Sequence, residues 1–286
     1  MGFALGLAIW GYRGWLGDLF PAKTPAREFL RLYGQRFTIV EGNTTFYSIP
    51  DAATVKRWAD ETPSHFRFFP KLPKTVTHAG VLMPRLPDAL RFLHLMQGLG
   101  DRLGLMFLQL PPSYGPGFLT DLDLFIQGWQ AATNTPLAIE VRHPAWFQDP
   151  WRDRLNERLT EYQVGRVLLD TRPIYDADDN PQQYSTNKKP NLPLQPVVTA
   201  PFSIVRYISH PILDNNLPYF AQWSEWVGQQ LSQSVQIYFF MHCPLEENSP
   251  QNARYFQHLL ERQGLTVPPL PWELLQEESP SQLSLF

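Results

Sequence analysis

The chain has one cysteine, Cys243. No disulfide can close within it, and a reducing compartment is expected. Cys243 itself reads as a small buried hydrophobe rather than a nucleophile. An excess of one charge is also missing. The formal net charge is −3, which argues against wholesale binding of a phosphate backbone and leaves only a local basic groove open to nucleic acid. No apolar run reaches membrane length. The apolar start, Phe3 to Trp10, is too short, has no basic residue before it and lacks the hydroxyl residue of a myristoylation signal. A soluble, cytoplasmic protein is the expectation. No Gly-rich phosphate turn follows an early strand, which counts against a doubly wound open sheet. No histidine pair has a diagnostic short metal-ligand spacing such as HxH or HExxH.

What is present fits a large core. The chain has 286 residues, of which 43% are hydrophobic, enough for one large domain or two small ones. Short apolar runs alternate with helix-period stretches from end to end. Strands are expected at Leu5–Gly11, Thr38–Glu41, Arg67–Lys71, Leu105–Leu110, Leu137–Val141, Arg166–Asp170, Ser203–Ser209 and Val235–Met241. Between them, Leu86/Leu90/Leu93, Leu122/Phe125/Trp129, Leu155/Leu159/Tyr162 and Phe220/Trp223/Val227/Leu231 form helical stripes. Thr24-Pro25 and Ser249-Pro250 each place a capping hydroxyl before a proline suited to a first helical turn. Eight strands alternating with helices predict a single (β/α)8 TIM barrel over residues 1–265.

Two stretches break the rhythm. Thr171 to Pro201 holds six prolines, several acids and amides, and Lys188-Lys189. It follows the sixth strand, on the face where barrel sites lie, so it is either an active-site flap or passive decoration. After Gly264 the periodicity fades. Residues 266–286 read as an extended, Pro-rich acidic tail.

Side chains alternate along a strand, so parity tells which share a face. Glu41 and Asn43 share parity with Ile39, Lys71 with Phe69, and Gln109 with Phe107. Glu140 and Arg142 go with Ala138, Asp170 with Leu168, Arg206 with Ile204, and His242 with Phe240. Nearly every strand therefore ends in a polar or ionisable residue placed to face the barrel mouth. Charges buried there must pair with each other or serve a ligand. Glu41, Glu140 and Asp170 oppose Lys71, Arg142 and Arg206, and a balanced ring suits a neutral or mixed polar ligand such as a sugar, nucleoside or phosphosugar. Glu41, Glu140, Lys71 and Asp170 are the expected catalytic groups, the carboxylates as general acid or base and the cations stabilising developing negative charge. Asn43, Thr45, Tyr47, His78, Gln109, Arg142, His143, Arg206 and His242 are the expected binding groups. A divalent metal is the competing use, because His78, His143, His210 and His242 follow strands near these carboxylates. No cofactor is otherwise expected. Trp10, Tyr12, Trp15, Phe46, Tyr47, Tyr114, Trp146 and Phe147 crowd the same face, for stacking on a ligand or for packing the rim.

Several segments resemble one family. Glu41-Gly42-Asn43-Thr44-Thr45-Phe46-Tyr47, with Pro50 and Trp58 following, resembles the signature of the YecE-like family, domain of unknown function 72. Phe68-Phe69-Pro70-Lys71 with Thr77-His78, Leu108-Gln109-Leu110-Pro111-Pro112, and Glu140-Val141-Arg142-His143-Pro144 with Trp146-Phe147 resemble its later blocks, in the right order. The resemblance covers roughly residues 5–262 and implies a TIM barrel without implying an activity. Two places depart from it. The common pattern has Arg-Leu-His-Gly on the seventh strand, where Arg206 is here followed by Tyr207-Ile208-Ser209-His210. Paired asparagines commonly end the eighth strand, where Met241-His242 stands here.

Gln282-Leu283-Ser284-Leu285-Phe286 resembles the short peptide by which many bacterial proteins dock on the replicative sliding clamp. Leu283, Leu285 and Phe286 supply the apolar part, with Leu285 and Phe286 as anchors, and Gln282 fixes orientation. Three functions follow as expectations. The first is an enzyme, a hydrolase or isomerase, acting on a small polar molecule. The second is a DNA-maintenance protein recruited by the clamp. The third is a non-catalytic ligand sensor or scaffold.

Overall fold

In the computed structural model, which describes residues 2–179, 181–184 and 188–275, all eight apolar runs lie in one parallel sheet. The strands are β1 (Phe3–Leu7), β2 (Ile39–Gly42), β3 (Arg67–Pro70), β4 (Met106–Gln109), β5 (Leu137–Glu140), β6 (Gly165–Asp170), β7 (Phe202–Ile208) and β8 (Gln236–His242). They neighbour one another in the order β3-β2-β1-β8-β7-β6-β5-β4. Sparse bridges between β3 and the start of β4, Phe68 with Leu103 and Lys71 with Phe107, bring the two ends of the sheet together. The result is a nearly closed (β/α)8 barrel of TIM type. β1 ends four residues before the predicted Gly11. Its extension leaves the sheet, and Trp10 packs edge-on against Trp58 and Phe68.

The helices α1 (Phe29–Gly34), α2 (Ala52–Glu61), α3 (Leu86–Met96), α4 (Leu119–Ala132), α5 (Trp151–Glu161), α6 (Leu217–Ser232) and α7 (Ser249–Arg262) surround the sheet. Their apolar stripes face it, as in α4, where Leu122, Phe125, Ile126 and Trp129 are buried. The Asp51 carboxylate caps α2 by accepting from the Thr54 amide at 2.7 Å, which satisfies one of the otherwise unpaired first-turn donors. The two predicted hydroxyl caps are not used. A 3-10 turn, Ala26–Glu28, leads into α1, with Pro25 in the cap position and no side-chain cap. At α7 the cap position belongs to Asn248, and Ser249 donates instead to the Glu246 carboxylate at 2.8 Å.

Among the described residues no long helix joins β6 to β7. The connection holds only a helical turn, Arg172–Tyr175, and a 3-10 turn, Pro181–Tyr184. Its prolines forbid a continuous helix. Tail residues up to 275 do not extend away from the barrel. Leu270 is buried, Trp272 packs on Phe37, and Glu273 pairs with Arg254 at 2.5 Å.

Inside the barrel, Ile39, Phe69, Leu105, Phe107, Ala138, Val167, Ile204 and Phe240 pack together as one apolar plug. One step further along the strands, at the carboxyl ends, the inward positions turn polar.

Candidate functional site

That polar layer is an ion-paired floor. Glu41, Lys71, Gln109, Glu140, Arg206 and His242 are all buried in it. Gly42 lets β2 deliver Glu41 there. A Cβ at residue 42 would lie 2.8 Å from Pro70 Cα, so only glycine permits this approach to β3. Arg206 grips Glu41 with two nitrogens, Nε to Oε2 at 2.7 Å and Nη2 to Oε1 at 2.9 Å, and reaches Glu140 Oε2 with Nη1. Lys71 Nζ lies 2.7 Å from Glu41 Oε1, donates to Gln109 Oε1 at 3.1 Å and sits over the Phe107 ring. His242 Nε2 meets Glu41 Oε2 at 3.1 Å, and Arg142 Nε donates to Glu140 Oε1 at 2.6 Å.

Charge states follow from this packing. Burial pushes the Glu41 carboxyl upward, yet Arg206, Lys71 and His242 outweigh it and hold it well below the ordinary carboxylate range. Glu140 is likewise desolvated, and Arg142, Arg206 and Lys71 bring it down to about 2. Burial and the neighbouring Arg206 lower Lys71 to about 7 against the pull of Glu41 and Glu140. Burial, helped by Arg206, takes His242 down to about 3, so its imidazole is neutral and donates from Nε2.

Above the floor lies a cavity of about 480 Å³, within the range of small-molecule sites. Lys71, Arg142, Arg206, Gln109 and Asn43 rise into it, with Tyr12, Phe46 and Tyr47 on the rim and Lys188, Lys189, Glu246 and Glu247 on the walls. A larger depression, about 880 Å³, opens at the opposite end of the barrel beside Ser64, His65 and Asn134, and is bordered by no buried ionisable group.

Two wall residues carry more than the sequence reading gives them: Glu246, which it does not single out, and Lys189, noted there only as part of the Lys188-Lys189 pair in the long connection. Glu246 follows β8, accepts from Ser249 and makes no ion pair among the described residues. Burial pushes its carboxyl up to about 7, with Ser249 and Lys189 opposing. In the sequence only Ser249-Pro250 stands out here, as a helix start. Lys189 is held by its main chain, whose carbonyl accepts from Tyr175 Oη and whose amide donates to Gln182 Oε1 at 2.6 Å. Burial and then Arg206 lower its pKa.

Other predicted residues lie apart or serve the scaffold. Asp170 does not join the ring. Its partner in parity, Leu168, belongs to the layer between sheet and helices, whereas Val167 faces the interior. Asp170 accordingly accepts from Arg172, Nε at 2.9 Å and Nη2 at 2.8 Å, and from Trp223 Nε1 at 2.7 Å. His143 caps a 3-10 turn through the Ala145 amide at 3.1 Å. His78 stays outside the cavity lining, stacked edge-on at Phe46, with Nδ1 2.8 Å from Thr77 Oγ1; burial, Lys74 and Arg142 lower it to about 4. Thr45 Oγ1 lies 2.8 Å from the carbonyls of both Gly42 and Lys71, in reach of each for its one proton, and Asn43 Nδ2 donates to the Ala8 carbonyl at 2.9 Å. Tyr47 is 69% exposed on the rim. Trp15, Tyr114 and Trp146 are fully buried, so these aromatics pack the scaffold instead of facing a ligand. Cys243 is buried, and its thiol is pushed up to about 12 by that burial, as suits a packing residue.

Among the described residues, no three His, Cys, Asp or Glu side chains gather as a metal-ligand set. His210 faces Asp179 instead, at 2.7 Å. No helix among them is long and apolar enough to cross a membrane. Gln282, Leu283, Leu285 and Phe286 lie outside the described residues.

Comparison with known proteins agrees with the fold. A family model described as protein of unknown function DUF72 matches residues 4–275. UPF0759 protein YecE of Escherichia coli K12 is 33% identical over 225 residues, spanning 78% of this chain and 82% of the relative. UPF0759 protein YunF of Bacillus subtilis 168 is 28% identical over 160 residues, spanning 50% and 54%. A crystal structure of a DUF72 family protein from Enterococcus faecalis V583 superposes with a TM-score of 0.69 at 18% identity, covering 94% of this chain and 98% of that one. A DUF72 family structure from Thermotoga maritima MSB8 gives 0.67 at 19% identity, covering 91% and 100%.

Proposed function

The chain belongs to the DUF72 family of TIM barrels, and from that premise we propose that its barrel mouth is the active site of an enzyme acting on a small polar molecule. One observation carries the proposal. Glu246, a carboxyl that accepts from Ser249 and has no ion-pair partner among the described residues, opens onto a cavity with an ion-paired floor, and burial pushes it up to about 7. A group that is half protonated near neutral pH can both give and take a proton. Glu41 and Glu140 are ill suited to that task, being held ionised and bonded to Arg206. In this reading they are the foundation, and Glu246 is the acid or base. Arg142, whose two terminal nitrogens have no partner among the described residues, faces the cavity as a donor for negative charge that develops during reaction.

The test is turnover of a panel of sugars, nucleosides and phosphosugars by the wild type and Glu246→Gln. Activity on one member should fall by about 10²–10⁴-fold in the variant, with an unchanged melting temperature. A variant as active as the wild type removes Glu246 from the chemistry.

A second reading concerns where the protein acts, and the sequence of residues 282–286 favours it. These residues lie beyond the matched 4–275 and resemble a sliding-clamp peptide, which docks as an extended segment with apolar anchors. Deleting them should abolish binding to a bacterial clamp in a surface-binding assay. Equal binding by the full and shortened chains would end this reading.

A further inference from the structure

We propose that the cavity grips its ligand by a phosphoryl group, held by Lys189 and Arg142 with Lys71 beneath. The proposal rests on the mouth being a ligand site and names the charged group it recognises. The balanced ring expected from sequence survives, without Asp170, in the floor, where Arg206, Lys71 and Arg142 hold Glu41 and Glu140. Lys71, Arg142, Lys188, Lys189 and Arg206 line the space, against Glu246 and Glu247. Glu41 and Glu140 lie beneath it and do not line it.

The donors differ in what they have left to offer. Arg206 donates from all three nitrogens to the floor carboxylates. Arg142 uses only Nε, so the two terminal nitrogens of its guanidinium have no partner among the described residues. Lys71 has two acceptors for its three N–H groups. The Lys189 ammonium has no bonded partner among the described residues, although its main chain is pinned at both polar atoms. A partly buried ammonium and a half-used guanidinium facing one cavity are unfavourable alone and favourable around an anion. A planar fork plus two point charges suits an oxygen-rich dianion, since a carboxylate offers only two oxygens to one fork. The volume of about 480 Å³ accommodates a phosphorylated molecule of sugar size and not a folded polymer. Glu246, on the same wall, tolerates a bound phosphoryl group in its protonated form.

Calorimetric titration of the full chain with inorganic phosphate, and separately with acetate at equal ionic strength, tests the proposal. Phosphate should bind saturably. Lys189→Ala and Arg142→Gln should each weaken it at least about tenfold, while Glu246→Gln should still bind. Because Arg142 also touches Glu140, thermal melts accompany both variants. Lys189, anchored through its main chain, gives the cleaner result. No saturable phosphate binding, binding indifferent to Lys189→Ala, or acetate bound as tightly as phosphate overturns the proposal. These failures are separable from the failure of the catalytic reading. Loss of turnover in Glu246→Gln without phosphate binding would leave the enzyme and remove the phosphoryl site. Phosphate binding with turnover indifferent to Glu246 would do the reverse.

Discussion

Arg206 is the residue on which the floor depends. Its guanidinium joins carboxylates from β2 and β5, on different sides of the barrel, and its own charge is reinforced by Glu140 and Glu41 despite burial. Ion pairs of this kind do little for net stability but are costly to break singly, because the abandoned charge stays buried. They also make stability sensitive to acid. The folded-state pKa of Glu140, about 2, lies below the ordinary 4.5, and that of Glu41 is displaced in the same direction. Between those values the unfolded chain binds more protons than the folded one, so stability is present above pH 4.5 and drains away as pH falls towards 2. Urea denaturation across this window should show Glu140 alone contributing a slope of about 1 kcal/mol per pH unit. The slope should be shallower in Glu140→Gln, and equal slopes would mean that Glu140 titrates normally.

At the scale of elements, what matters is how closely one strand end approaches the next. Gly42 ends β2 with no room for a side chain against Pro70. In Gly42→Ala the backbone of β2 or β3 must move, at a cost of about 1–3 kcal/mol, seen as a lower urea midpoint with an unchanged m-value. A neutral result would show that the two strand ends can part. Elements were the most legible level in the sequence. Each strand announces itself as an apolar run, and period-two parity places Glu41, Lys71, Gln109, Glu140, Arg206 and His242 on the inside. Asp170 shows where parity alone runs short. It groups residues by face without telling which face is inside, and on β6 the inner row is Val167 with its neighbours two apart. Glu246 and the placement of Lys189 were illegible for a different reason. Both sit on connections, where no periodicity exists and orientation is set by contacts with distant residues.

For the molecule as a whole, likeness to relatives and the physical reading of strands agree on the barrel. The charge balance illustrates what only the assembled molecule reveals. Counting strand-end charges gives near neutrality, yet the folded barrel turns Asp170 away to Arg172 and leaves Glu41 and Glu140 shared among Lys71, Arg142 and Arg206. The joint between β3 and β4 has a consequence of its own. β7 and β8 run in register from Phe202 with Gln236 to Ile208 with His242, whereas β3 and β4 meet only at isolated bridges. Lys71 and Gln109 stand on the two lips of that joint and are tied to each other across it at 3.1 Å. The cavity is thus bounded by a continuous backbone ladder on one side and by isolated bridges on the other, and the bond from ammonium to amide is the clasp on that second side.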